Sequence, residues 1–183
     1  IENNARVAFD ISPVNTVLNF YANQLNLDYD DKGLIAQLGK LNQYLFYELN
    51  ALPFYSKSHP KSLGFEFVKE TVLPLIEKHP ISRADKMHTF TIHIAFQIGK
   101  ALSHKKAKLL ITGGGAYNDF LIEEIQKQLP EMEIIIPNKK ILEYKEALIF
   151  ALLGVLKLRG EMNVLSSVTG AKMNHSSGKI FIN

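Results

Sequence analysis

A short apolar run that passes through three consecutive glycines into a helical pattern is the feature that most constrains this chain. The run KLLIT (residues 108–112) meets glycines at 113–115, and NDFLIEEIQKQL follows with apolar residues at helical spacing. A second apolar run, EIIIP (133–137), precedes a long helical pattern over residues 143–160. Unbroken runs are typical of strands covered on both faces, and this spacing suits a crossover helix between parallel strands. Residues 106–183 are therefore predicted to be α/β.

The first residues predict another junction between a strand and a helix. RVAF (residues 6–9) has the pattern of a short strand, and Asp10 lies at its carboxyl end. Ser12 is a candidate N-cap for the helix that follows, with Pro13 at the first helical position.

Between about residues 16 and 105 strand signals are weak, and helical patterns follow one another. Pro74 predicts a kink in the helix around it, because proline has no N–H to donate. The clearest helix covers residues 82–102, where Ser82 and Asp85 have the spacing of a capping box. We expect a large helical layer attached to a sheet, within one domain.

Composition limits the functional classes. The chain has 183 residues, 46% of them hydrophobic and 21% charged, and no apolar run approaches the ~18 residues that span a bilayer. It contains no cysteine, which excludes disulfides and thiolate metal sites and makes the cytoplasm the default compartment. The net charge of +3 and the short basic patches at 105–108 and 139–140 give no dense basic face, so nucleic-acid binding is not expected. The histidine spacing predicts no metal site.

The glycines could serve a ligand or only a turn. A strand that leads through glycines into a helix brings bare backbone N–H groups to a positive helix end. Gly113, Gly115 and Asn118 fit G-x-G-x-x-N, which lacks the third glycine of the dinucleotide fingerprint. A tight turn with positive φ explains the same residues.

Two carboxylates are candidates for chemistry. Asp10, at a predicted strand end, could act as a base or steer a metal, or could cap the next helix or accept from turn amides. Glu146 is predicted in the first turn of a helix, where the dipole favours its charge, although it could be an ordinary first-turn acid. Because ALIFALLGVL is apolar on every side, we expect that helix to be buried.

Six segments, in order, carry a family resemblance. The chain resembles the carboxy-terminal half of the anhydro-N-acetylmuramic acid kinases, of the sugar kinase, heat-shock protein and actin superfamily. The matching segments are DISPVN (10–15), YDDKG (29–33), PKSLGFE (60–66), TGGGAYN (112–118), EALIFA (146–151) and LSSVTGA (165–171).

The resemblance implies a fold and a reaction. The fold would be the carboxy-terminal lobe of an actin-like ATPase (ribonuclease H-like), with a central mixed sheet flanked by helices and the large helical layer. ATP would lie between this lobe and an amino-terminal lobe that we expect to precede Ile1. The reaction adds water across the 1,6-anhydro bond of the sugar and transfers the γ-phosphoryl group of ATP to O6, with Mg²⁺, in peptidoglycan recycling.

The resemblance also implies roles for individual residues. Asp10 would be the base that activates water, and Glu146 a second acid near the sugar. The other implied roles are the nucleoside wall of the ATP site (Gly113, Gly114, Gly115 and Asn118), sugar contacts (Lys61 and Ser62) and positioning of Asp10 (Asn15).

The chain departs from the family pattern at two substrate loops. Ile11 and Ser12 replace threonine and glycine, and Leu63 and Phe65 replace threonine and arginine. An arginine could pair with the lactyl carboxylate, so the identity of the sugar stays open. The departures leave a second hypothesis, a non-catalytic nucleotide- or sugar-binding member of the superfamily. A plain oligomerisation domain and a homodimer are also left open.

Overall fold

The computed structural model describes residues 6–102 and 107–181, and its first half is a helical layer. Part of the first basic patch, residues 105 and 106, lies outside the described residues. The helices of this layer are α1 (Asn15–Asn23), α2 (Leu34–Leu38), α3 (Gln43–Asn50), α4 (Pro53–Ser56), α5 (Phe65–Phe67), α6 (Leu73–Glu77) and α7 (Arg83–Leu102).

Helix α7 forms the centre of the layer. Ser82 Oγ accepts a hydrogen bond from the Asp85 N–H at 3.0 Å, which confirms the predicted cap. Met87, Phe90 and Ile94 project from α7 into the core with no exposed surface. They are covered by α1, α2 and α3 and, from the other half of the chain, by a later helix. The helical layer therefore holds most of the hydrophobic core.

The helical segment around Pro74 is irregular, as predicted. A π-helical turn, Val68–Val72, separates α5 from α6, and Pro74 lies in the first turn of α6. Proline cannot donate the usual hydrogen bond to the carbonyl four residues earlier, so a regular α-helix cannot run through this position unchanged.

The second half contains the predicted strand–helix–strand unit. Strand β1 (Lys108–Leu110) pairs in parallel with β2 (Glu133–Ile135), and α8 (Asp119–Gln128) crosses between them and packs on α7. Two further helices follow, α9 (Lys139–Leu158) and α10 (Ser166–Thr169). Within the described residues the sheet has two strands, so the fold is a helix-rich α/β fold with a small parallel sheet.

The predicted strand over residues 6–9 is wrong. These residues have no regular secondary structure, because neither strand of the described part of the chain extends to pair with them. The Ser12 cap is also wrong: α1 begins at Asn15, and the Ser12 hydroxyl donates to the Pro13 carbonyl at 3.1 Å instead.

The predicted burial of α9 is wrong as well. None of its residues is buried, and Phe150 is 71% exposed. The core cluster draws on the helical layer, α8 and the strands and, among the described residues, includes none from α9. Despite this apolar surface, the described helices include none long and apolar enough to cross a membrane.

Candidate functional site

The three consecutive glycines differ in backbone conformation and in the space available for a side chain. Gly113 has φ +81°, a conformation that side chains rarely adopt. Gly114 has ordinary dihedral angles, but a Cβ there would lie 2.7 Å from Asn15 Nδ2. A Cβ on Gly115 would meet only ordinary contacts at 3.8 Å or more. The turn therefore needs glycine for its backbone at 113, whereas a Cβ at 114 would displace the end of the Asn15 side chain.

Asn118 ends this glycine turn and begins α8. Its side-chain Oδ1 accepts from the Leu121 N–H at 2.9 Å, which caps the helix. The backbone of Gly33 (φ +74°) packs against the same oxygen so closely that a Cβ would overlap it. The turn over residues 29–33 and the glycine turn are thus held against each other.

A first cavity of about 390 Å³ lies between these two turns. Its lining includes Gly114 and Asn118, which were predicted to contact the nucleoside, and Asn15, which was predicted to position Asp10. Aromatic and charged side chains also line it, among them Tyr29, Lys32 and Tyr117. Tyr29 and Tyr117 keep 62% and 45% of their surface exposed. Lys32 also has a positive φ, +56°. The sequence-based roles omitted Tyr29, Lys32 and Tyr117, although YDDKG and TGGGAYN contain all three.

A second cavity of about 490 Å³ contains Asp10. Asp10 Oδ2 accepts from the Leu63 N–H at 2.6 Å, and its own N–H donates to the Lys61 carbonyl at 3.0 Å. Asp10 therefore holds the 60–64 loop and accepts a turn amide, and it does not cap α1. Val14 and Thr16 line this cavity whereas Asn15 lines the first, so the start of α1 separates the two.

Lys61 and Ser62 do not line the cavity that contains Asp10. The Lys61 ammonium lies 4.6 Å from the centre of the Phe54 ring and 5.9 Å from that of Phe9, on the other side of the loop. Burial, and secondarily the charge of Lys100, lowers the pKa of Lys61. Ser62 is exposed.

Glu146 is not in a first helical turn. Helix α9 begins at Lys139, four residues earlier than predicted, so Glu146 is its eighth residue and the dipole argument fails. Its side chain is exposed and lines neither cavity. The preceding residue ties α9 to the glycine turn, because Lys145 Nζ donates to Thr112 Oγ1 at 3.1 Å.

Acidic and histidine side chains do not gather into a metal cage. Within residues 6–102 and 107–181, no group of three or more could hold a metal ion. Asp30, which lines the first cavity, accepts from the N–H groups of Ile35 and Ala36 at 2.9 and 3.0 Å, so its carboxylate is engaged by α2.

Comparison with known proteins gives one consistent family. The sequence profile described as anhydro-N-acetylmuramic acid kinase matches residues 1–183. Proteins named anhydro-N-acetylmuramic acid kinase match at 31% identity in Caldanaerobacter subterraneus subsp. tengcongensis and at 34% in Xylella fastidiosa and in Francisella tularensis subsp. novicida. These matches cover 95%, 91% and 94% of this chain and 48%, 45% and 48% of the relatives. The chain thus spans about half the length of the curated relatives it matches.

Proposed function

Because this chain belongs to the anhydro-N-acetylmuramic acid kinase family, we propose that it is the carboxy-terminal lobe of an ATP-dependent kinase of 1,6-anhydro-N-acetylmuramic acid, expected in the cytoplasm. The observation that carries the proposal is the pair of cavities on either side of the start of α1. A phosphoryl transfer needs two adjacent sites, one for the donor and one for the acceptor.

The first cavity suits the nucleoside part of ATP. Tyr29 and Tyr117 offer ring faces for stacking on a base, and the amides of Asn15 and Asn118 offer donors and acceptors for its edge. Because Gly114 has no side chain, a ligand could approach the backbone at this side of the cavity. Lys32 supplies a positive charge toward the phosphates.

The second cavity suits the sugar, with Asp10 as the base. The hydrogen bond from the Leu63 N–H fixes the orientation of the carboxylate. In the proposed reaction Asp10 takes a proton from a water molecule, whose oxygen attacks the anomeric carbon while the bond from that carbon to O6 breaks. O6 then attacks the γ-phosphorus of ATP, and ADP leaves as the bond from that phosphorus to the bridging oxygen breaks.

The remaining roles rest on the resemblance alone. Glu146 is exposed on α9 and would contact the sugar only if another part of the protein formed a site beside this helix. Ser62 remains a candidate sugar contact. Lys61 is a weaker candidate, because its ammonium lies on the other side of the loop from Asp10.

Mg²⁺ would neutralise the phosphate charge of the bound nucleotide. Kinases bind this ion through one or two carboxylates together with phosphates and water, so the lack of a carboxylate cluster in the described residues fits a metal that arrives with ATP. Asp31 and Glu143, which line the first cavity, are the acidic groups that could reach it.

The lobe assignment has separate support. Several large apolar side chains of α9 are exposed, among them Phe150 and Leu158, and the relatives contain about as much sequence again as this chain matches. We propose that the rest of the polypeptide covers this surface and completes an actin-like, two-lobed fold, with residues 16–105 as the helical layer and 106–183 as the nucleotide-binding part.

The decisive experiment follows ATP consumption with 1,6-anhydro-N-acetylmuramic acid by a protein of the relatives' full length. Asp10→Asn keeps an oxygen that can accept from Leu63, so folding is preserved, while loss of the base should lower turnover by at least about 100-fold. Asp28→Asn, an exposed turn residue that lines neither cavity, is the control and should retain activity. The isolated chain should show little or no turnover.

The non-catalytic alternative makes the opposite prediction. It is favoured by Ile11, which lines the Asp10 cavity where the family has threonine. Tight sugar binding by calorimetry, without turnover and unchanged by Asp10→Asn, would support that alternative and reject the kinase proposal.

A further inference from the structure

The cavity that contains Asp10 has a mostly apolar lining. Buried Val68 and Ile94 line it together with Leu63 and Phe65, and the cavity has a volume of about 490 Å³. Ligand pockets commonly have volumes of this order, and a monosaccharide fits within one. A sugar in this cavity would therefore rest largely on hydrocarbon and aromatic surface.

Asp10 supplies the charge of this cavity. It is the one charged side chain among the lining residues that the structure describes, and it is exposed. Ser12 and Thr16 add two hydroxyl groups without charge. These polar groups can hydrogen-bond to hydroxyl or amide substituents of a sugar, whereas Asp10 would repel a carboxylate bound beside it.

The lysine of the 60–64 loop lies outside this cavity. Lys61 does not line it, and its ammonium lies 4.6 Å from the centre of the Phe54 ring. At position 65, where the family pattern has arginine, a phenylalanine side chain lines the cavity with 64% of its surface exposed. A sugar carboxylate at this wall would lack the partner that arginine provides, and an unpaired charge against an apolar surface is unfavourable.

Phe65 offers the sugar a contact of another kind. The flat face of an aromatic ring packs against the C–H groups on one face of a sugar ring, and this contact buries apolar surface without any charge. Phe65 follows Leu63 by two residues, and the Leu63 N–H donates to Asp10 Oδ2 at 2.6 Å. The same short segment therefore holds the ring and the carboxylate at one cavity.

We propose, on the basis of the kinase function on which this inference rests, that Phe65 makes the site select the anhydro sugar ring rather than a carboxylate on it. The compound 1,6-anhydro-N-acetylglucosamine has the same ring as 1,6-anhydro-N-acetylmuramic acid but carries a hydroxyl group in place of the lactyl ether. The protein should phosphorylate this neutral sugar at least as efficiently as the acidic one. Phe65 is then a specificity-determining residue, and the neutral sugar gives the site a second activity.

The second activity uses the same bond changes. A water oxygen bonds to the anomeric carbon as the bond from that carbon to O6 breaks, and Asp10 accepts a proton from the water. O6 then attacks the γ-phosphorus of ATP, and ADP leaves. The products are N-acetylglucosamine 6-phosphate, ADP and a proton that Asp10 releases to solvent.

The test measures kcat/KM for both sugars by ADP release, with a protein of the relatives' full length. In wild type the value for the neutral sugar should equal or exceed that for the acidic sugar. Phe65→Arg should raise kcat/KM for the acidic sugar by about tenfold or more, mainly through a lower KM, because the added guanidinium pairs with the carboxylate in ground state and transition state alike. The same variant should not raise kcat/KM for the neutral sugar.

Two further variants separate the charge from other effects of the substitution. Phe65→Met keeps an apolar side chain and should leave the ratio of the two kcat/KM values unchanged. Glu70→Arg places an arginine at an exposed position that lines neither the first nor the second cavity, and it should also leave that ratio unchanged. Because the Phe65 side chain is largely exposed, substitutions there should not prevent folding.

Turnover of the acidic sugar with little or none of the neutral sugar would overturn this specificity and leave the kinase proposal standing. A ratio that Phe65→Arg does not change would overturn the role of Phe65. Turnover of neither sugar would reject the kinase proposal itself and, with it, this inference.

Discussion

His93 is a fully buried ionisable side chain that lines neither the first nor the second cavity. Its Nδ1 lies 2.9 Å from Asn50 Oδ1, which also accepts from Gln97 Nε2 at 2.6 Å. Because Asn50 Oδ1 is an acceptor, the neutral ring carries its proton on Nδ1. The Nε2 atom is buried without a hydrogen-bond partner among the described residues. Burial lowers the pKa of His93 to about 3.

We predict that His93 makes the protein less stable as the pH falls from 7 to 5. The unfolded chain binds a proton at His93 near pH 6.5, while the folded protein stays neutral there until about pH 3. The unfolded state therefore gains protons first, and the free energy of unfolding should drop by about 2 kcal/mol over this range. Urea unfolding at pH 7, 6 and 5 measures the drop, which His93→Gln should remove.

Between pH 7 and pH 5 the titration of His93 in the unfolded chain does not overlap with that of two hydrogen-bonded carboxylates in the folded protein. Hydrogen bonds lower the pKa of Glu77 (from Lys86) and Asp85 (from the Lys40 N–H) below their ordinary values of 4.5 and 3.8, so both stay ionised down to pH 5. His175→Gln, at an exposed histidine, is the control and should behave as wild type. A drop of equal size in His93→Gln would contradict the assignment.

At the scale of residues, the sequence predicted which kind of backbone or steric constraint a position meets, but not which residue it contacts. Three glycines in a turn pointed to positive φ or to close approach, and Gly113 and Gly114 supply one case of each. That Asn15 would be the group approaching Gly114 depends on how α1 packs, which local pattern does not encode. The same holds for Lys61, whose ammonium turns toward Phe54.

At the scale of elements, the contact between the 29–33 turn and the start of α8 offers a direct test. Gly33→Ala would force a side chain into a left-handed backbone and into overlap with Asn118 Oδ1. We predict a loss of roughly 2–4 kcal/mol in the free energy of unfolding, because strain and displacement of a buried cap add. Amide exchange at Leu121, whose N–H the cap holds, should also accelerate.

Gly170→Ala is a closely matched control. Gly170 has φ +73°, against +74° at Gly33, but a Cβ there would meet nothing within 4 Å. It should therefore cost only the backbone strain, about 1 kcal/mol, and leave Leu121 exchange unchanged. Equal losses in the two variants would show that the contact with Asn118 contributes nothing.

Elements with a local signal were predicted well, and those that depend on a distant partner were not. Helix α7 has its own cap and apolar face, and β1, α8 and β2 alternate as their sequence indicates. Residues 6–9 have strand-like composition, but a strand exists only when another strand pairs with it. For α9 the helix was correct and the burial wrong, because burial is a property of what surrounds the helix.

At the scale of the whole molecule, the wrong predictions for α9 and for residues 6–9 have a common origin. Among the described residues, much of the apolar surface of α9 is exposed and residues 6–9 pair with no strand; the proposed two-lobed arrangement would cover both. The candidate site has the same character, since the first cavity, the proposed nucleoside site, is lined by two lysines and three carboxylates and so has no excess positive charge for a triphosphate. These observations motivate the two-lobed arrangement and give it a structural test.

We predict that Phe150→Glu, at a position 71% exposed here, leaves the stability of this chain within about 0.5 kcal/mol of wild type. In a polypeptide of the relatives' full length, where the proposed cover would bury this ring, the same change should cost more than about 3 kcal/mol, because a charge then enters an apolar contact. Lys140→Glu, a charge change at an exposed α9 residue, should be tolerated in both. Urea unfolding measures stability, and sedimentation velocity shows whether a second copy covers α9 instead. Equal tolerance of Phe150→Glu in both lengths, or a dimer of this chain that the variant dissociates, would reject the proposed cover.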